Sequence, residues 1–267
     1  MSEAVIGIDR GASFTDFAVV REMNLIDHLS VETRDWTEIE SALHRIREMH
    51  ASRHMAFSGA SAGMPAKIKD LVVEVPEIAS IGLGGATLAS SQNCLVVSMG
   101  TGSAMVRVDH QAATHVGGTA VGGGTIKGLA KLICSVDDVS EVERLALKGS
   151  AAQMNLTIGD LGLDDLSFLP ADATVSNFAN IKSESIEDKA AGILSLVAET
   201  IGIMASLCAL HAGCADSIVA VGKVSANQHI RATLARVGVL YQTQFLHPKH
   251  PECATAYGAA LKYINMI

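Results

Sequence analysis

The sequence predicts an α/β protein made of two similar halves, because the same order of elements occurs twice along the chain. The first half opens with an apolar strand at residues 5–8, a turn, and a second strand at 14–20. The second half repeats this opening with a strand at 95–98, a glycine-rich turn and a strand at 104–108. Helical patterns follow both openings, and such alternation is typical of duplicated α/β folds.

In the first half, strands are predicted at residues 5–8, 14–20, 29–32, 54–58 and 71–75, and helices at 36–50 and from 76 to about 90. The first helix is predicted because Ile39, Leu43 and Ile46 recur at helical spacing and therefore share one face. Pro76 is placed at the start of the second helix, since proline is well tolerated in a first helical turn.

In the second half, strands are predicted at residues 95–98, 104–108, 115–116 and 218–222, and helices at 125–134, 139–148, 188–212, 229–237 and 254–264. The apolar segment 190–212 is long enough to cross a bilayer. Glu199 lies near its middle, where a membrane would make a carboxylate costly, so we interpret the segment as a buried core helix. We expect two lobes, residues 1–90 and 91–267, with the last helix packing back on the first lobe.

Two glycine-dense segments of the second half, residues 98–103 and 116–125, indicate a phosphate-binding site. Glycine lets the backbone approach an anion closely and adopt positive φ. Successive N–H groups and a helix N-terminus can then bind phosphate oxygens. The residues expected to contact phosphate are Gly100, Thr101 and Gly102 in the first segment and Gly122, Gly123 and Gly124 in the second.

The composition argues against several classes of function. A net charge of −8 without a basic run argues against a nucleic-acid surface. The five cysteines have neither disulfide nor zinc spacing, which favours free thiols. The N-terminus lacks the basic flank and apolar core of a signal peptide. We therefore expect a cytoplasmic protein without nucleic-acid or membrane partners. Because ATP is itself anionic, an acidic protein that binds it would rely on Mg²⁺ and backbone donors.

The glycine segments, with their spacing, resemble the core of type II pantothenate kinases. The matching motifs are Ser98-Met99-Gly100-Thr101-Gly102, the segment 116–119, the segment 122–125 and Gly128-Leu129, with further matches at 145–149, 156–160, 176–178, 221–222 and 257–261. The resemblance covers most of residues 90–267. It implies a duplicated actin-like (ribonuclease H-like) ATPase fold with the nucleotide between two lobes. It also implies ATP, Mg²⁺, pantothenate as acceptor in the first step of coenzyme A biosynthesis, a homodimer, and Gly222 near the adenine.

The N-terminal segment resembles the first phosphate loop of this superfamily less closely. Gly7-Ile8-Asp9 fits the pattern, and Asp9 is expected to orient hydrated Mg²⁺ or the attacking group. The loop continues with Gly11-Ala12-Ser13, where the family usually has Gly-Gly-Thr, and Gly11 and Ser13 are expected to contact phosphate. Asp16 stands where a lysine is common. The segment 14–16 is also similar to hydantoinase-type relatives.

The catalytic base implied by the resemblance is Glu74, at the end of the predicted strand 71–75. A carboxylate there would take the proton from the acceptor hydroxyl as it attacks the γ-phosphate. Glu77 is the alternative, because it matches the next acidic position of the family without a gap, whereas Glu74 requires one inserted residue.

The acceptor side differs from the family pattern. His115 stands where an arginine normally contacts pantothenate, and His247 or Leu246 stands where a tyrosine is expected. Thr174 matches a family threonine that contacts the substrate. Because imidazole lacks the guanidinium fork of donors, we expect weakened use of pantothenate or a related hydroxy acid as acceptor.

Two other classes of function remain open from the sequence. An ATP-dependent activator or sensor would use the same cleft to drive a partner protein without a small-molecule acceptor. A hydantoinase-like hydrolase is indicated only by the segment 14–16, and 267 residues are few for that enzyme type.

Overall fold

A computed structural model describes residues 3–33, 35–110, 112–162, 165–166 and 169–266, and two five-stranded sheets dominate this part of the chain. The first sheet has the order β3-β2-β1-β4-β5. Strands β1 to β3 are antiparallel neighbours, whereas β4 and β5 run parallel to β1. Its strands are β1 (Val5–Arg10), β2 (Phe14–Arg21), β3 (Asn24–Glu32), β4 (His54–Gly59) and β5 (Val73–Glu74).

The second sheet repeats this topology, and its order, β14-β13-β6-β7-β8, is the same series counted from the other edge. Again three antiparallel strands are followed by two that run parallel to the first of them. The predicted duplication is therefore confirmed. The strands of the second half are β6 (Asn93–Met99), β7 (Ser103–Asp109), β8 (Ala112–Thr119), β9 (Leu156–Thr157), β10 (Asp165–Leu166), β11 (Leu169–Pro170), β12 (Thr174–Ser176), β13 (Ile218–Val221) and β14 (Phe245–Leu246).

The helices agree closely with the predicted segments, except for the short helix at Ala66–Lys69, which the sequence did not predict. They are α1 (Trp36–His50), α2 (Ala66–Lys69), α3 (Glu77–Leu88), α4 (Gly123–Cys134), α5 (Val139–Ala146), α6 (Ile186–His211), α7 (Gln228–Tyr241) and α8 (Ala254–Ile264). Helix α1 covers one face of the first sheet. Helices α4 to α7 pack together with one face of the second sheet to form the largest hydrophobic cluster.

Helices α3 and α8 cross each other between the sheets, and each packs on the sheet of the other half. Helix α3 lies against β6, β7 and β8, whereas α8 lies against β1, β2 and β4. At the crossing, Gly84 faces the backbone of Ala254, and Gly258 faces the backbone of Ser80. A Cβ on either glycine would collide with the other helix, so the two backbones meet without intervening side chains.

Helix α6 is the one described helix that is long and apolar enough to cross a membrane. Thirteen of its residues are buried inside the protein, among them Ile193, Val197 and Ile201. Glu199 accepts hydrogen bonds from Thr174 and Asn177. Helix α6 therefore matches the predicted core helix, because its apolar residues pack inside the protein and its carboxylate, Glu199, is hydrogen-bonded.

The second glycine-dense segment was predicted to be a turn, but part of it is a strand in the structure. Gly117 and Gly118 lie inside β8, and the turn comprises only the residues between β8 and α4. A Cβ on Gly117 would lie 3.2 Å from Sγ of Cys208, and one on Gly118 would lie 2.7 Å from the carbonyl oxygen of Ser103. These glycines therefore let an edge strand pack closely against α6 and β7.

Candidate functional site

The first phosphate loop contacts the second one across the two halves. Gly11 and Ser13 belong to the turn between β1 and β2, and the segment 100–102 joins β6 to β7. The hydroxyl groups of Ser13 and Thr101 lie 3.0 Å apart and share a hydrogen bond. The duplicated topology explains the meeting, because each loop follows the first strand of its own sheet.

The start of α4 holds the second loop in place. The N–H of Gly123 donates to the carbonyl of Gly100 (2.8 Å), and the N–H of Gly124 donates to that of Thr101 (3.0 Å). The amides of Ser13, Thr101 and Gly102 donate to no acceptor within the described residues. The triglycine segment thus supports the loop, while the amides left over are those that an anion could use.

Gly222 lies at the end of β13 with φ +87°, a conformation that favours glycine. Any Cβ there would collide with the backbone of Met99, and the N–H of Gly222 donates to the carbonyl of Pro251 at 2.8 Å. This turn directs Lys223 toward the first half. Its ammonium group forms an ion pair with Asp16 and lies 4.7 Å from the centre of the Phe14 ring.

Asp9, near the end of β1, lies in a group of carboxylates. Burial, followed by the charges of Asp16 and Glu77, raises its pKa from 3.8 to about 7. The charge of Lys223 and a hydrogen bond with Thr255 act in the opposite direction. Without a further cation, a substantial fraction of Asp9 therefore keeps its proton near neutral pH, unlike an ordinary aspartate.

Ser58 adds an unpaired polar atom beside Asp9. The two residues are neighbours in register on β4 and β1. Ser58 is buried, and its Oγ has no hydrogen-bond partner among the described residues. Free loop amides, an orphan hydroxyl and an under-compensated carboxylate fit a polyphosphate accompanied by a divalent cation. Asp9 is the residue that would hold Mg²⁺, and the loop amides and Lys223 are groups that could donate to phosphate.

The two candidate bases lie on either side of Pro76. Glu74 is exposed at the end of β5, beside Phe57 of β4. Glu77 begins α3, is also exposed, and lies close enough to Asp9 to raise its pKa. Neighbouring strands are spaced about 4.8 Å apart, so Glu74, two strands from β1, lies roughly 10 Å from that strand.

On the acceptor side, Thr174 belongs to a polar network centred on α6. Its hydroxyl donates to Oε1 of Glu199 at 2.8 Å, and the amide of Asn177 donates to Oε2 at 3.1 Å. Asn155 in turn donates to Asn177 at 3.1 Å. The side chain of Thr174 is therefore held in place by its own neighbours.

Besides Thr174, the candidate acceptor residues are His115 and His247, which lie at opposite edges of the second sheet because β8 and β14 are its edge strands. His115 is exposed on β8. His247 lines a cavity of about 460 Å³ with Arg231 and residues of α7 and β14. Its Nδ1 is buried without a partner among the described residues, and burial together with Arg231 lowers its pKa. Within those residues, no hydrogen bond joins any of the three to the phosphate loops.

Sequence reasoning missed Ser58, Lys223 and Thr255. Lys223 had one visible signal, because it directly follows the glycine assigned to the adenine side. A second signal was Asp16, a carboxylate inside an apolar strand, which required a cationic partner. Nothing in the sequence indicated that the partner would lie 207 residues away.

Comparison with known proteins agrees with this geometry. A family model described as Fumble matches residues 86–244. A type II pantothenate kinase from Bacillus cereus (strain G9842) is 26% identical over 211 residues, which cover 75% of both chains.

Two solved structures share the fold. Component A of (R)-2-hydroxyglutaryl-CoA dehydratase from Acidaminococcus fermentans has a TM-score of 0.71 at 16% identity and covers 99% of both chains. A ROK family glucokinase from Streptomyces griseus, in complex with glucose and AMPPNP, has a TM-score of 0.66 at 13% identity, over 97% of this chain and 98% of that one. The predicted actin-like fold with two lobes is confirmed.

Proposed function

The chain belongs to the Fumble family of type II pantothenate kinases and is an ATP-binding phosphotransferase that acts on an alcohol; from this premise we propose that its acceptor is the hydroxyl of pantothenate or of a closely related hydroxy acid. The observation that supports the proposal best is the contact between the two glycine-containing turns, where the hydroxyl groups of Ser13 and Thr101 share a hydrogen bond. Asp9 lies on β1, the strand that leads into the first of these turns.

The nucleotide side acts by positioning the phosphates. The amides of Ser13, Thr101 and Gly102 bind phosphate oxygens, and the hydroxyl groups of Ser13 and Thr101 exchange their mutual hydrogen bond for the ligand. Asp16 stands where a lysine is common in the first loop of the family. Lys223, which forms an ion pair with Asp16, supplies a positive charge at this place instead. Such preorganised donors stabilise the charge on the transferring phosphoryl group without reorganising during the reaction.

Mg²⁺, when bound, neutralises charge on the phosphate oxygens. The residues that would hold it are Asp9, with the hydroxyl of Ser58 beside it. A nearby cation favours the ionised form of a carboxylate, so the charge of a bound Mg²⁺ would lower the pKa of Asp9 toward its ordinary value.

A carboxylate at the end of β5 or just after it removes the proton of the acceptor hydroxyl. Glu74 is proposed for this role, and Glu77 is the alternative closer to Asp9. The distance of Glu74 from β1, roughly 10 Å by strand spacing, leaves room between them for the reacting hydroxyl and phosphoryl groups. A general base in this position contributes roughly 10²–10⁴ in rate.

The acceptor carboxylate needs donors that the chain supplies differently from the family pattern. His115 and His247 replace an arginine and a tyrosine, and Thr174 already donates to Glu199. These substitutions support an acceptor whose acid group is held by fewer hydrogen bonds. We therefore propose weak use of pantothenate, or preference for a hydroxy acid of similar length.

A homodimer is part of the proposal. Half of the residues of α6 are buried, but Leu207 and Leu210 near its end are about half exposed (53% and 47%). Paired across a two-fold axis, such side chains would be removed from water. Light scattering of the native protein and of Leu207→Lys tests this, since a dimer made through this face becomes monomeric in the variant.

The deciding experiment measures ADP release from MgATP with and without pantothenate, together with mass detection of a phosphorylated product. Asp9→Asn serves as the inactive control. Pantothenate-dependent turnover with the expected mass supports the proposal. ATP hydrolysis that is slow and independent of any acceptor, but accelerated by a partner protein, would favour the activator class instead.

A further inference from the structure

Three side chains outside the nucleotide cleft converge at the edge of the first sheet. His28 lies in the middle of β3, and His250 and Glu252 flank Pro251 in the turn before α8. His28 and His250 are 222 residues apart in sequence. Packing of α8 on the first sheet brings the turn against β3, so the cluster depends on the tertiary fold.

One nitrogen or oxygen atom of each side chain lies close to the other two. Nε2 of His28 lies 3.0 Å from Nδ1 of His250 and 3.5 Å from Oε1 of Glu252. Nδ1 of His250 lies 3.7 Å from the same Oε1. The same three atoms therefore account for all three distances and form one nearly equilateral triangle.

This triangle has the size of one face of a tetrahedral metal site. Zinc binds histidine nitrogen at about 2.0–2.1 Å and carboxylate oxygen at about 2.0–2.2 Å, which separates neighbouring ligand atoms by about 3.3 Å. The three distances scatter around this value. From this geometry we propose that His28, His250 and Glu252 bind a divalent transition-metal ion of the zinc class.

The ligand set determines which ions are accepted. Two imidazoles and one carboxylate suit Zn²⁺, Co²⁺ and Ni²⁺, whereas Mg²⁺ prefers an octahedral shell of oxygen atoms. Three protein ligands leave the fourth tetrahedral position to water. The ion can enter from solvent, because the side chains of His28, His250 and Glu252 are 36%, 51% and 28% exposed.

The ion would fasten the turn that supports Gly222. Pro251, between the two ligands of the turn, accepts the hydrogen bond from the N–H of Gly222. A metal ion bound to β3 and to this turn therefore restrains the segment from which Lys223 extends. Its role is structural, separate from the Mg²⁺ that accompanies ATP.

The test uses untagged, metal-free protein in the absence of nucleotide. Titration with Co²⁺ is expected to give one bound ion with the intense visible absorption bands of tetrahedral cobalt. Zn²⁺ is expected to displace it and to raise the melting temperature. The affinity for Co²⁺ should fall by at least about tenfold in Glu252→Gln and in His250→Asn. Asparagine is chosen at position 250 because it tolerates the left-handed backbone there (φ 53°).

His44→Ala is the matched control, because His44 is an exposed histidine on α1 next to a glutamate. It should bind Co²⁺ as the native protein does. Circular dichroism identifies any variant that fails to fold, and Glu252→Gln, which keeps the side-chain shape, then decides. The proposal is overturned if the native protein binds no Co²⁺, or if Glu252→Gln, His250→Asn and the native protein give the same titration.

Discussion

Replacing Asp9 with asparagine is expected to change how the stability of the protein depends on pH. Burial, with the charges of Asp16 and Glu77, raises the pKa of Asp9 from 3.8 to about 7 in the folded state. Between these values the folded protein keeps a proton that the unfolded chain has lost. The stability associated with this proton is complete below about pH 4 and is lost as the pH rises through 7.

The size of the effect follows from the pKa shift. Each unit corresponds to about 1.4 kcal/mol, so a shift of about 3 units amounts to about 4 kcal/mol. This is an upper bound, because the Asp9 side chain is only partly shielded from water. An asparagine stays neutral at every pH. The free energy of unfolding of Asp9→Asn, relative to that of the native protein, should therefore rise by up to about 3 kcal/mol between about pH 5 and pH 7.

The assay is urea unfolding of the native protein and Asp9→Asn at intervals between about pH 5 and pH 8, without Mg²⁺ or nucleotide. The difference in free energy of unfolding between the two proteins is the measured quantity, so that other titrating groups cancel. Asp216→Asn, which makes the same change at an exposed aspartate, is the matched control. If the free energy of unfolding of Asp9→Asn and of the native protein changed with pH in parallel, the raised pKa of Asp9 would be refuted.

The remaining predictions concern the reaction. Glu74→Gln should keep ATP affinity and lose roughly 10²–10⁴-fold in ADP release; a loss confined to Glu77→Gln would assign the base to Glu77. Lys223→Met should raise KM for ATP by roughly 10–100-fold, since a hydrogen bond to a charged group contributes about 1.5–3 kcal/mol, while Lys223→Arg keeps most activity. An unchanged KM would remove Lys223 from the site. Gly123→Val should abolish nucleotide binding in fluorescence titration, because its side chain enters space beside the carbonyl of Gly100; normal affinity would contradict that.

The elements predicted well were those with a clear local period. Helix α1 could be predicted from Ile39, Leu43 and Ile46, and all three are buried. The short strands β9 to β12 and β14 were not predicted, since two or three residues carry no measurable alternation. The glycines of β8 were interpreted as a turn, because the sequence does not show that Cys208 lies against Gly117.

The candidate site was predictable only where one segment carried the signal. The glycine loops are local, and the chain brings Ser13 and Thr101 together. The ion pair of Lys223 with Asp16 and the cluster around His28 depend on contacts more than 200 residues apart. Such partners are determined by the crossing of α3 and α8, which no single segment encodes.

The exchange of α3 and α8 between the sheets bears on how this duplicated fold could be divided. A chain cut after residue 90 would leave α3 attached to the first sheet, although α3 covers the second, and α8 attached to the second, although it covers the first. Each fragment would then expose an apolar sheet face together with an apolar helix suited to the other fragment. The two halves repeat one topology, but each supplies a helical layer that covers the sheet of the other. We therefore expect them to fold and unfold as a single cooperative unit.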